Sequence, residues 1–200
     1  LNAPYLLALT MGIVSALCMM MVSMVMGVAA LRDFDHNMES LMFINPIKKS
    51  DYLIGRFVGS FLVLLFIFSG LLLGLIVADF MPWRDEADLL PFSLWRYLQP
   101  ALFIGLPNLF FGSALFFIGG ALSRKLLVVY TQGILLLTVY ILSLQLTQNS
   151  DYQLLAALID PFGYQTIKNM VKYWSTAERN TQMIPISGWL LYNRLLWMGI

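Results

Sequence analysis

The sequence predicts an all-α fold: a polytopic bundle of transmembrane helices with four full spans, the start of a fifth and short interfacial helices. Two charge-free runs and the composition predict it. Tyr5 to Leu31 is 27 residues without a charge, and Phe57 to Ala78 is another 22. An apolar run of about 20 residues is what a helix needs to cross the hydrocarbon core of a bilayer. Sixty per cent of the 200 residues are hydrophobic and 12% are charged, with a mean hydropathy of +0.77. That leaves too little polar surface for a water-soluble domain of this size. The runs lack strand-like alternation, and only a helix satisfies its own backbone groups within lipid.

The first span covers Tyr5 to Leu31 behind Pro4, where proline suits a helix start. At about 40 Å by helical rise it is too long for a signal-peptide core, and it lacks a basic leader segment. The second span is Phe57 to Ala78, with Asp79 expected as a solvated boundary residue. Asp79 to Gln99 then carries Trp83, Trp95 and Tyr97, aromatics that fit interfacial anchoring. The third span lies within Pro100 to Leu122. A tight turn of Arg124 and Lys125 leads to the fourth, Leu126 to Leu146. Thr147 to Ser187 is a long polar segment. Within it Tyr164, Ile167, Val171 and Trp174 make an apolar helical stripe beside Lys168 and Lys172, behind a turn at Asp160-Pro161-Phe162-Gly163. One or two short helices are expected there, on the bilayer surface or folded back into it. A fifth span begins near Ile186. The chain opens on Leu1 and stops at Ile200, so residues 1–200 are expected to be a single transmembrane domain fragment of a larger membrane protein, with spans missing at both ends.

Cation placement predicts the orientation. Residues 32–56, the elbow between the first two spans, and the 124–125 turn lie on one side. They hold Arg32, Lys48, Lys49, Arg56, Arg124 and Lys125 in about 27 residues. Arg84, Arg96, Lys168, Lys172, Arg179 and Arg194 are spread over more than twice that length on the other side. The denser side is expected to be cytoplasmic and residues 147–187 extracytoplasmic.

Several chemistries are missing. The net charge of +1, without a basic stripe, excludes nucleic acid as the main partner. One histidine, His36, gives no His-rich metal site and no zinc-peptidase pair, and neither a phosphate-binding GxxxxGK[ST] loop nor a GxSxG elbow is present. No cofactor, metal or catalytic residue is expected. One cysteine, Cys18, allows no intrachain disulfide. The twelve methionines, seven of them between Met11 and Met38, read as adaptable packing side chains. The four full spans carry no ionisable residue near their middles, which weighs against a proton-coupled carrier. Asn108, behind Pro107, and Gln132 are the polar residues expected to line a path; for Asn108, an interhelical hydrogen bond is the plainer role. Gly55/Gly59 and Gly70/Gly74 form small-xxx-small pairs suited to close helix packing.

The elbow holds most of the directional information. Met38 to Ile44 suits a short amphipathic helix, Asn45-Pro46 breaks it, and Ser50 and Asp51 suit the cap of the returning span. Held between two spans, such a helix is a lever; otherwise it is a solvated loop. The stretch "DFDHNMESLMFINPIKKSDYLIGRF", with a span on either side, resembles the ABC-2 type permeases. Pro46, Ile47, Lys49, Tyr52, Leu53, Gly55 and Arg56 match the family run P-[IV]-x-[RK]-x-x-[YF]-[LI]-x-[GS]-[KR]. The tight 124–125 turn and the helical segment before the last span also resemble that family. "DPFG" at 160–163 looks like a stretch seen in permeases fused to a metallopeptidase-like domain.

The resemblance implies the membrane-spanning permease of an ATP-driven exporter in the bacterial cytoplasmic membrane, with no enzymatic role of its own. Its partners would be an ABC ATPase subunit and a second permease copy or half. The elbow would be the coupling helix, with Arg32, Asp35, Glu39, Phe43, Asn45, Pro46 and Lys49 at the ATPase contact. The residues alone leave two alternatives open: an ATPase-independent carrier or channel, and the membrane anchor of a protein whose enzyme or sensor domain lies elsewhere.

Overall fold

A computed structural model describes residues 2–35, 48–82, 90–147 and 152–199. The described residues are mostly helical, with no strand. In order they form α1 (Pro4–Asp35), α2 (Lys49–Ala78), α3 (Leu94–Pro100), a π-helical turn (Ala101–Gly105), α4 (Leu106–Ser123), α5 (Leu126–Leu146), α6 (Gln153–Ile159), α7 (Tyr164–Met170), α8 (Thr176–Thr181) and α9 (Trp189–Gly199). Four stretches are long and apolar enough to cross a membrane: Pro4–Phe34, Lys49–Ala78, Leu94–Ser123 and Leu126–Leu146.

The second and third spans start earlier than the apolar runs do. In α2 the first two turns carry Lys49, Asp51, Tyr52 and Arg56 ahead of the charge-free run. In the third span, expected within Pro100 to Leu122, the helix begins at Leu94 and α3 runs straight into Pro100. Here the ladder survives by widening. Proline has no N–H and its ring crowds the carbonyl one turn back, and the five residues that follow adopt the wider π turn.

α1 and α4 form the centre. Met19, Val22 and Met26 of α1 bury against Leu109, Phe116 and Phe117 of α4, with Val129 and Leu136 of α5 closing one side. Two glycines set the spacing. A Cβ on Gly120 would stand 2.9 Å from that of Ala30, and one on Gly27 would stand 3.2 Å from Val129. Small residues at such crossings let backbones approach within a bilayer. The glycine pairs of α2 do not do this within the chain: Gly55, Gly59, Gly70 and Gly74 have nothing within 4 Å of a built Cβ. Gly120→Leu is therefore expected to cost about 1–3 kcal/mol by overpacking, read as a lower unfolding midpoint in detergent. Gly70→Ala should leave that midpoint unchanged or raise it.

α2 joins through one face. Leu64 is its buried residue, and Phe57 and Phe61 meet Phe110 edge-on at 6.1 and 5.8 Å. Its other face, Phe66 at 79% exposure above all, is turned outward. At the 124–125 turn, Arg124 adopts the left-handed conformation, φ 53°, and its N–H closes on the Gly120 carbonyl at 2.9 Å. Its guanidinium stands 4.5 Å over the Phe34 ring, which brings this turn beside the end of α1.

At the opposite end, three short helices fold over the bundle, where the sequence stripe predicts one or two. Ile167 and Val171 are buried against Ala8, Met11, Ala101 and Ile104, while Lys168 and Lys172 are exposed. α8 opens with a capping box: the Ser175 hydroxyl accepts from the Glu178 N–H, and the Glu178 carboxylate accepts from the Ser175 N–H at 2.7 Å. Those bonds hold the Glu178 carboxyl below its usual range. Tyr97 is not an interfacial anchor but a buried residue, and its hydroxyl donates to Asp79. Asn2 donates to the same carboxylate at 3.0 Å, so Asp79 is a bracket between segments rather than a solvated boundary residue.

Candidate functional sites

Three arrangements concentrate polar or ligand-sized features. The first closes the two ends of the elbow. Arg56, one turn past Tyr52 on α2, donates to Asp33 of α1 and to the Ala29 carbonyl at 2.5 Å. The Tyr52 hydroxyl donates to the same carboxylate, and the Arg56 guanidinium lies 5.4 Å from the Tyr52 ring centre. The Arg56 and Asp33 side chains are 21% and 15% exposed, so the pair keeps partial contact with water. Asp33 thus receives two donors from α2, and α1 and α2 are locked at the elbow.

The second is a cavity of ≈ 350 Å³ between α1 and α5. Met19, Met20 and Met24 line it from α1, Tyr130, Ile134 and Leu137 from α5, and the Phe162 ring from the re-entrant turn. Its walls are apolar except for Ser23, whose hydroxyl is spent on the Met20 carbonyl at 2.8 Å, and the Tyr130 phenol. Beside it, α1 exposes Leu17, Met20, Met21, Met24 and Val28. Methionines adapt to differently shaped apolar and aromatic surfaces.

The third is a buried polar node where Asp160–Gly163 dips into the bundle. The turn reaches Tyr140, whose ring meets that of Phe162 at 5.2 Å and which sits about 9 Å by helical rise inside the end of α5. Gly163 takes φ 77°, and a Cβ there would stand 2.9 Å from the Arg194 guanidinium. Asp160 is wholly buried. It accepts from the N–H groups of Phe162 at 2.9 Å and Gln165 at 2.6 Å. Burial pushes its carboxyl above the usual range against the pull of those N–H groups. From α9, Asn193 donates to the carbonyls of Ala157 at 2.6 Å and Asp160 at 2.9 Å. Arg194 donates to the side-chain oxygens of Asn108 and Asn193 and to the Pro161 carbonyl at 3.2 Å. Asn108 in turn donates to the Phe162 carbonyl at 3.1 Å.

The sequence-expected residues are distributed unevenly among these. Arg32 is exposed in the last turn of α1, Asp35 ends that helix, and Lys49 begins α2. Glu39, Phe43, Asn45 and Pro46, with the short elbow helix, lie outside the described residues. Asn108 is 1% exposed and occupies the node. Gln132 is pressed on Gly119 of α4, its Oε1 buried without a hydrogen-bond partner, and borders a second cavity of ≈ 180 Å³ with Phe110, Phe111 and Trp197. Asp33, Asn193 and Arg194 were missed. An Asn-Arg pair inside the last apolar stretch was the available signal, since an ionisable residue there points inward to partners. Arg194 also leaves the loop tally, making it six cations to five.

A model of the fluoroquinolones export permease protein Rv2686c-like family matches residues 2–113, more than half of the chain. The chain belongs to the Rv2686c-like family. No curated protein and no solved structure matches it. The family name makes this Rv2686c-like chain an export permease, a transporter subunit, in agreement with the ABC-2 resemblance, and its four spans make it a multi-pass membrane protein. The matched stretch contains the whole clamp, the α1 wall of the methionine cavity and Asn108. It ends inside α4, so the α5 wall and the turn side of the node lie beyond it.

Proposed function

We propose that the chain is the membrane-spanning permease of an ATP-driven exporter in a bacterial cytoplasmic membrane, carrying planar aromatic molecules of the fluoroquinolone kind. A partner ATPase docks on the elbow at Arg32, Asp35, Glu39, Phe43, Asn45, Pro46 and Lys49, on the cytoplasmic side, where the cations are densest. The observation that carries this reading is that α1 belongs to two sites at once. It is one arm of the Asp33–Arg56 clamp and one wall of the methionine cavity. A push on the elbow therefore moves α1 and α2 together and alters the cavity along α1. A second copy, set against the exposed Leu17, Met20 and Met21 of α1, completes the path.

The cavity's volume and its scarcity of polar groups suit a flat aromatic body better than an ion or a sugar. Reversing the elbow acids, Asp35→Lys with Glu39→Lys, tests the coupling. Export of a fluoroquinolone from cells should fall at least about tenfold, while the purified permease keeps its unfolding midpoint and its partner's basal ATPase activity persists. Undiminished export in that double variant would remove the ATPase contact from the elbow.

A further inference from the structure

On the outer surface at the elbow end, α1 and α2 leave a groove of ≈ 620 Å³. Met24, Val25 and Val28 form one wall. The other is Gly55, Gly59 and Ser60, where a built Cβ on either glycine meets nothing within 4 Å. Arg32 and Arg56 stand at its mouth. Arg56 is engaged by Asp33 and the Ala29 carbonyl. Arg32 is exposed, and among the described residues it makes no ion pair or hydrogen bond. The groove is apolar along the helices and cationic where they leave the membrane. At that end of the bundle the described residues set Arg32, Lys48, Lys49, Arg56, Arg124 and Lys125 against Asp33, Asp35 and Asp51.

The geometry points to a site for an anionic phospholipid, its acyl chain in the α1–α2 groove over Gly55 and Gly59 and its phosphate on Arg32. Each part of the groove meets its complement. The bare glycine backbone leaves the width of a chain, the apolar wall keeps water out, and the guanidinium offers paired N–H donors to phosphate oxygens. Basic pockets between spans recognise anionic headgroups in this way. The proposal gives Arg32 to the lipid phosphate rather than to the ATPase contact named above, and it does not depend on which way the chain faces.

The test is native mass spectrometry of the full chain in mild detergent, after incubation with phosphatidylglycerol or with phosphatidylcholine of the same acyl chains. Phosphatidylglycerol should be retained at least tenfold more. Arg32→Gln should reduce its retention to the phosphatidylcholine level. Gly59→Leu should lower retention of both lipids with the unfolding midpoint unchanged, since the added side chain enters open space. Lys48→Gln with Lys49→Gln should keep the preference, separating a site from general basic attraction. Equal retention of the two lipids, or a preference that survives Arg32→Gln, overturns the proposal. So does displacement of the lipid by millimolar inorganic phosphate, which would make this an ion site only. Disulfide cross-linking of two copies through Ser60→Cys with no lipid retained would assign the groove to a second copy instead.

Discussion

Arg194→Leu is expected to destabilise the detergent-solubilised chain by about 3–5 kcal/mol, the largest effect of any single substitution in the bundle. Arg194 is 6% exposed, and its guanidinium donates to three partners: Asn108 on α4, the neighbouring Asn193 on α9 and the Pro161 carbonyl in the re-entrant turn. Leucine keeps much of the volume but leaves three oxygens without donors and Asp160 without its nearest counter-charge. Each orphaned buried acceptor costs about 1–3 kcal/mol. Arg194→Lys should not rescue, because one ammonium cannot reproduce the planar fork that meets these partners. Unfolding in a denaturing detergent series measures the loss. A cost below about 1 kcal/mol for Arg194→Leu would mean that water enters the node and that it does not hold the turn in place.

The second large effect is on function. Arg56→Met should lower export about tenfold while lowering stability by only about 1 kcal/mol, because the pair is partly exposed and the methionine stem keeps the packing. Without the cross-link, motion at the elbow is taken up by α1 and α2 splaying apart. Asp33→Asn should behave alike, and the double variant should be little worse than either single one, as expected when two residues act through one contact. Export measured beside the partner's ATPase rate decides it. Tenfold lower export with hydrolysis intact is uncoupling, whereas full export in both variants would show that the clamp transmits nothing.

How legible this was depends on which force sets each feature. The apolar cores of the four spans follow from hydropathy alone, and α5 begins and ends where the sequence predicts, at Leu126 and Leu146. Their polar ends are only half legible: Ser50 and Asp51 signal that the helix starts before the apolar run, but nothing in the pattern pairs Tyr52 and Arg56 with Asp33 of another helix. The π turn was hidden because Pro100 suits a helix start, whereas in the structure the helix from Leu94 passes through it into the π turn. Asn108 was legible as a polar residue in a span. Its company was not, because Asn193 and Arg194 lie 85 and 86 positions further along the chain.

That π turn also sets a phase. Residues 101–105 carry the chain through a wider turn than an α-helix would, and each residue of an α-helix advances the bearing by about 100°. With an ordinary α-helical turn behind Pro100, everything downstream would face about a quarter-turn elsewhere, Asn108 included. The aim of Asn108 at Arg194 is thus written about two turns upstream of it, at Pro100.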